Sequence, residues 1–123
     1  MIYSAGYKVK FYKNSQTGKE FILEYVEKLD HKNKAKILKY IEFLRQSKGY
    51  LDEPYSKHIT GKIRELRVDF SHNRHRIFYF AFINKTIILL HSFLKKTNKT
   101  PRRETGKAVQ NYQDAINNPR LYE

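Results

Sequence analysis

Residues 8–12 alternate: Val9 and Phe11 fall on one side, Lys8, Lys10 and Tyr12 on the other. That pattern predicts a short strand. Turn formers gather over 14–18. Residues 19–29 then read as a helix, because Ile22, Tyr25 (or Val26) and Leu29 recur at spacings of three and four. Asp30 is placed to cap a second helix, since its carboxylate can accept the free amide hydrogens of a first turn. In that second helix Ile37, Ile41 and Leu44 form the inward stripe, with Leu38 and Phe43 beside it and Lys32, Lys34, Lys36 and Lys39 over much of the rest. Lys48-Gly49 is a stop signal, because glycine takes the left-handed conformation after a last turn. The two segments predict a helical hairpin with a very short connection.

Residues 50–62 are polar, contain Pro54 and close on Thr60-Gly61-Lys62, so they read as a loop. Three strand patterns follow. Over 63–70, Leu66, Val68 and Phe70 face away from Glu65, Arg67 and Asp69. A turn over 71–73 leads into 76–83, apolar on both faces as a central strand should be. Asn84-Lys85 suits a tight hairpin, and 86–94 is again apolar on both faces. A basic connector over 95–99 precedes a helix in which Thr100 caps, Pro101 opens the first turn and Glu104 suits the dipole. Ala108, Tyr112 and Ile116 mark its apolar stripe; Gly106 weakens it, and the tail from about residue 117 is expected to be loose. The order is strand, helix, helix, three strands, helix. It predicts a single α+β domain over 1–123, a small antiparallel sheet with the N-terminal strand and helical hairpin on one face and a C-terminal helix. The other face, with no obvious helical cover, would carry Arg67 and, depending on register, Arg76.

Charge changes this picture most. Twenty-five Lys and Arg against twelve Asp and Glu give a formal net charge of +13. Such an excess draws polyanions over long range, and nucleic acid is the commonest. With no cysteine, disulfides and thiolate metal sites are excluded. The five histidines show no metal-ligand spacing, so neither a metal nor another cofactor is expected. The N-terminal MIYSAGYKVKF lacks a signal-peptide core and the apolar runs beside Asn84 are too short to span a bilayer. A cytoplasmic location and no membrane partner follow as expectations.

Arg67 is out of phase with the apolar residues of its strand, Arg76 begins the next, and Lys95, Lys96 and Lys99 follow the last. If the three strands are neighbours, these cations converge at one end of the sheet. Guanidinium and ammonium groups held in place stabilise the charge that builds on phosphoryl oxygens when an RNA 2′-hydroxyl attacks the adjacent phosphorus. The same groups equally serve plain phosphate binding. A proton acceptor is harder to find. His91, by alternation on one face with Leu89 and Phe93, fits a catalytic base or a hydrogen-bonded core histidine; Tyr79 and a lysine with a depressed pKa are the others. Glu65 and Asp69 read as ionic partners of Arg67. Phe78, Phe80 and Phe82 read as a core or partner-binding face rather than a base-stacking one.

The runs IRELRV, HRIFYF and IILLHSFLKKTNKTPRRE, followed by a basic alanine-containing helix, resemble the HigB-type toxins of the RelE/ParE superfamily, in its phage-derived branch. The likeness extends from Lys8 to about Ile116. It implies an mRNA endoribonuclease that acts in the ribosomal A site without metal, and a cognate antitoxin, usually a helix-turn-helix HigA-type protein. Arg67 matches the arginine of the family's ELR strand. Arg76 matches that of its next strand, with His75 at a position usually held by tyrosine. The resemblance gives Arg67 and Arg76 the scissile phosphate, and Lys96 or Lys99 a part in proton transfer or in binding the neighbouring phosphate; His91, from its strand position, stays a further catalytic candidate. Arg64, Arg74, Lys95, Arg102 and Arg103 would hold RNA phosphates. The C-terminal tyrosine of some relatives has no secure match, and the turn over 69–75 is longer than in the shorter relatives. A gyrase-poisoning ParE-like toxin and an inactive binding module are the competing functions.

Overall fold

In a computed structural model, residues 6–123 are described. Residues 1–5, part of the stretch read above for a leader, lie outside the described residues. The alternating N-terminal segment forms β1 (Lys8–Phe11). The first helix is shorter than its pattern suggested, α1 (Phe21–Glu27), and of the two alternatives Val26 is buried with Ile22. α2 (His31–Gln46) starts where predicted: the Asp30 carboxylate accepts the Asn33 amide at 2.8 Å. Ile37, Ile41 and Leu44 are buried, while Leu38 and Phe43 stay exposed.

The chain leaves α2 through Lys48 and Gly49, both at positive φ, and the Gly49 amide donates to the Leu44 carbonyl at 2.9 Å. At Gly49 φ is +88° and a Cβ would stand 3.4 Å from the Ala81 Cβ. Gly49→Ala is therefore expected to cost about 1–2 kcal/mol from the left-handed backbone; a denaturant titration that finds no loss would contradict this.

The segment read as a polar loop contains a strand, β2 (Ser56–Thr60). It was hidden because it is an edge strand with Lys57 and His58 exposed, so apolar alternation is missing. β3 (Ile63–Phe70), β4 (Asn73–Phe82) and β5 (Thr86–Leu94) follow. Both hairpins close through two residues at positive φ, Ser71-His72 and Asn84-Lys85. This is the mirror-image turn that suits the right-handed twist of strands. The arginine-bearing strands thus run to a two-residue turn, in place of a long loop over 69–75.

The sheet order is β1-β5-β4-β3-β2. β2 to β5 are antiparallel neighbours, and β1 adds in parallel with Phe11 opposite Leu89. The sheet is accordingly mixed. β4 and β5 are inner strands, which is why their sequences are apolar on both faces.

The expectation of an uncovered face is corrected by α3 (Arg102–Asn117). The α1–α2 hairpin covers one face, where His75 of β4 meets Tyr25 and Asn33. α3 covers the other, where Tyr112 packs edge-on to Phe80 with ring centroids 4.7 Å apart. Phe78 and Phe80 are core residues beneath it. Thr100 does not cap this helix: it starts one residue later, with Pro101 at the cap position. Ala108 is buried, and Tyr112 and Ile116 pack partly buried against the core. The tail folds back on the domain. Pro119–Tyr122 forms a 3-10 turn, and the buried Tyr122 hydroxyl accepts from the Lys13 amide at 3.0 Å and donates to its carbonyl. Asp114 of α3 also accepts from the Tyr12 hydroxyl at 2.6 Å, so the strand-to-helix turn and the C-terminus hold each other. No helix of the described residues is long and apolar enough to cross a membrane.

Candidate functional site

Register decides which cations share a face. Arg67 and Arg76 are direct partners in the β3–β4 ladder, and Phe93 of β5 is the next residue in that row. One row along stand Glu65, Phe78 and His91. On the other side are Asp69 and Arg74, followed by Lys95, whose amide donates to the Arg74 carbonyl at 2.8 Å. Residues in one row share a face, so this side of the sheet carries two adjacent guanidiniums at one end and the α3-covered core at the other.

The two arginines differ. Arg76 is 5% exposed; its Nη1 donates to the Asp69 carboxylate at 2.7 Å and to the His75 carbonyl at 3.0 Å. Its Nε is buried and has no hydrogen-bond partner among the described residues. Arg67 is half-buried, and its Nε donates to Glu65 Oε1 at 3.2 Å. Glu65 pairs with Arg67 as the sequence suggested, but Asp69 pairs with Arg76 instead. The difference arises because Asp69 is one diagonal step from Arg76 across the ladder. Lys95 is half-buried, and loss of hydration together with Arg76, Arg67 and Arg74 pushes its pKa down, while Glu65 opposes the shift. Tyr79 lies on the opposite face and His91 under α3, so of these proton acceptors the lysine is the one beside the two guanidiniums.

Lys96, Lys99 and Arg102 are exposed along the connector and the start of α3, without an ion pair among the described residues. Arg103 is exposed too, 3.8 Å from Glu104. They flank the face rather than build it. Arg64 is elsewhere: it occupies the opposite phase of β3, donates to Ser56 Oγ at 3.0 Å and lies 4.7 Å from the Tyr50 ring centroid. It braces the 50–56 segment. Tyr79 is buried on that same side, sharing a 2.7 Å hydrogen bond with Ser56.

His91 is engaged by Glu104 rather than free to act as a base. It is 4% exposed, its ring lies against Phe21, Phe78 and Phe93, and Nε2 meets Glu104 Oε1 at 2.8 Å. Nor does it share a face with Leu89. The β4–β5 register shifts between Phe78 and Tyr79, so His91 pairs with Phe78 and Leu89 with Tyr79. The extra residue, Leu90, flips the phase. From sequence Glu104 reads only as a dipole partner. Its place four residues before Ala108, on the buried stripe of α3, was the available signal that it faces inward.

Two buried histidines make stability depend on pH. His75 Nε2 donates to Asn33 Oδ1 and its Nδ1 meets the Tyr25 hydroxyl, at 2.8 Å each, and burial, reinforced by Arg76, lowers its pKa. Burial lowers that of His91 as well, against the opposing pull of Glu104. The unfolded chain, with histidines near about 6.5, then binds more protons than the folded one. Stability is full above that value and falls as pH drops below it toward the depressed folded values. The melting temperature is expected to fall between about pH 7 and about pH 5, and His75→Gln to flatten that slope; equal slopes in both proteins would rule His75 out.

Comparison with known families bears on the whole of this face. The model of the family described as Phage derived protein Gp49-like (DUF891) matches residues 24–113, which include every residue of the three rows. No curated protein matches the chain.

Proposed function

The chain belongs to the phage-derived Gp49-like family, part of the RelE/ParE-like toxin clan, and on that footing we propose that it is a HigB-type toxin that cleaves mRNA on the ribosome without a metal. The observation that carries this reading is the pairing of Arg67 with Arg76 on one sheet face, with Lys95 beside them. An RNA phosphate entering there would replace the exposed Asp69 carboxylate on Arg76. The fork of each guanidinium matches the phosphoryl oxygens, and its interaction strengthens as charge builds in the transition state. Lys95, easier to deprotonate than an ordinary lysine, supplies acid–base capacity, while Arg74, Lys96, Lys99, Arg102 and Arg103 provide phosphate contacts around the rim. The net charge of +13 favours encounter with the ribosome, whose surface is rich in RNA phosphate. Substrate alignment by the ribosome supplies orientation that the small face does not. The partner that restrains it is a cognate antitoxin, of helix-turn-helix HigA type, in the cytoplasm.

The test is a translating extract with primer extension across the message. Codon-phased cuts with the wild-type chain, absent with Arg76→Ala, are the expected result. Intact message together with trapped gyrase–DNA complexes would replace this reading with a ParE-like one. Intact message and no growth arrest would leave a binding module.

A further inference from the structure

We propose that Glu65 is the group that takes the proton from the attacking 2′-hydroxyl, resting on the ribonuclease reading above. The observation is an unspent carboxylate. Glu65 is 2% exposed, and its Oε1 is held by Arg67 while its Oε2 is buried with no hydrogen-bond partner among the described residues. Packing gives no reason for a carboxylate here, since its row neighbour is Phe78 and the row ends at His91 under α3. Taking a charged carboxylate out of water is costly unless both oxygens are satisfied. Native proteins rarely leave such a group half-satisfied, and this one stands beside two guanidiniums on the face proposed to take the phosphate. Asp69 makes the contrast: it also serves an arginine, but its side chain is 64% exposed, so it is a displaceable counter-ion rather than a sequestered base.

The arrangement also suggests how the base is released. In the free protein Arg67 Nε holds Oε1 at 3.2 Å, a long bond for a charged pair. A phosphate that draws Arg67 to its own oxygens frees the carboxylate next to the reacting ribose. The 2′-hydroxyl proton passes to the freed Glu65 carboxylate as the O2′–P bond forms. The P–O5′ bond then breaks, and the leaving oxygen takes a proton from the Lys95 ammonium. The products are a 2′,3′-cyclic phosphate and a 5′-hydroxyl, and exchange with water restores the Glu65 carboxylate and the Lys95 ammonium. Arg76 Nε, a buried donor without a partner among the described residues, lies one row away and supplies the matching hydrogen bond to a phosphoryl oxygen.

The experiment uses Glu65→Gln, which keeps an acceptor for Arg67 but removes the basic oxygen, with Glu65→Asp as the companion. Single-turnover cleavage of ribosome-bound mRNA is measured alongside ribosome affinity and melting temperature. Cleavage is expected to fall at least about a hundredfold in Glu65→Gln, with ribosome affinity unchanged and the fold retained, and less steeply in Glu65→Asp. Cleavage by Glu65→Gln within about threefold of wild type overturns the proposal while leaving the ribonuclease reading intact. Should Glu65→Gln fail to fold, Glu65→Asp decides: no loss of cleavage overturns it. A wild-type chain that does not cut at all overturns both.

Discussion

Arg76→Lys is expected to lower mRNA cleavage about a hundredfold or more while leaving a folded protein. The substitution keeps a positive charge at the centre of the face and so preserves much of the attraction for a phosphate. It removes the planar fork, whose Nη1 is already engaged by Asp69 and the His75 carbonyl and whose buried Nε has no partner among the described residues. An ammonium is a point donor and cannot hold Asp69 or the His75 carbonyl while offering a second, directed hydrogen bond in the place of Nε. If Arg76 serves only as a nonspecific cation, lysine should restore activity. Single-turnover cleavage within about threefold of wild type would therefore remove Arg76 from transition-state stabilisation. A parallel loss with no change in ribosome affinity would assign the effect to chemistry.

Phe78→Ala is expected to be the most damaging single core change, costing about 3–5 kcal/mol. The ring is fully buried between sheet and α3, stacked 5.7 Å from Phe93 and 6.4 Å from His91. Its removal leaves a cavity walled by aromatic rings on a sheet, which cannot collapse. It also takes away one wall of the His91–Glu104 pair that ties α3 to β5. Against a total of about 5–15 kcal/mol, and at about 4 °C per kcal/mol for a chain of this size, the melting temperature should drop by about 12–20 °C. Leu38→Ala, at a position 47% exposed, is the control and should change stability by under about 0.5 kcal/mol. A melt in which the two variants behave alike would show that the Phe78 face is not packed as described.

Much of this molecule was legible in its sequence. The alternation at 8–11, the Ile37–Ile41–Leu44 stripe, the Asp30 cap, the Lys48-Gly49 stop and the tight Asn84-Lys85 hairpin are local features, set by side-chain phase and by the φ values a residue tolerates. They led to the α+β order without any long-range information. What stayed hidden had no local signature. β2 borrows its partner from β3 and leaves polar residues at the edge. The first turn of α3 was misplaced by a residue because Thr100-Pro101 carries a strong start signal that the observed helix uses differently. α3 crosses to the second face because Glu104 and Ala108 face inward, and that choice depends on what His91 and Phe80 offer from other strands.

The arginine face divides the same way. Phase alone took Arg67 out of the hairpin-covered core, and the excess of charge pointed to a polyanion. Only the ladder register set Arg67 directly opposite Arg76 and assigned Asp69 to Arg76, whereas alternation alone puts Arg64 on the other side. A single extra residue at Leu90 reversed the side on which Leu89 lies relative to His91 and carried the histidine under α3. Periodicity fixes which residues of one strand travel together. Which strands meet, and where a bulge breaks the period, is decided by packing between segments far apart in the chain, and it is there that the two guanidiniums, Lys95 and the unspent oxygen of Glu65 were brought onto one face.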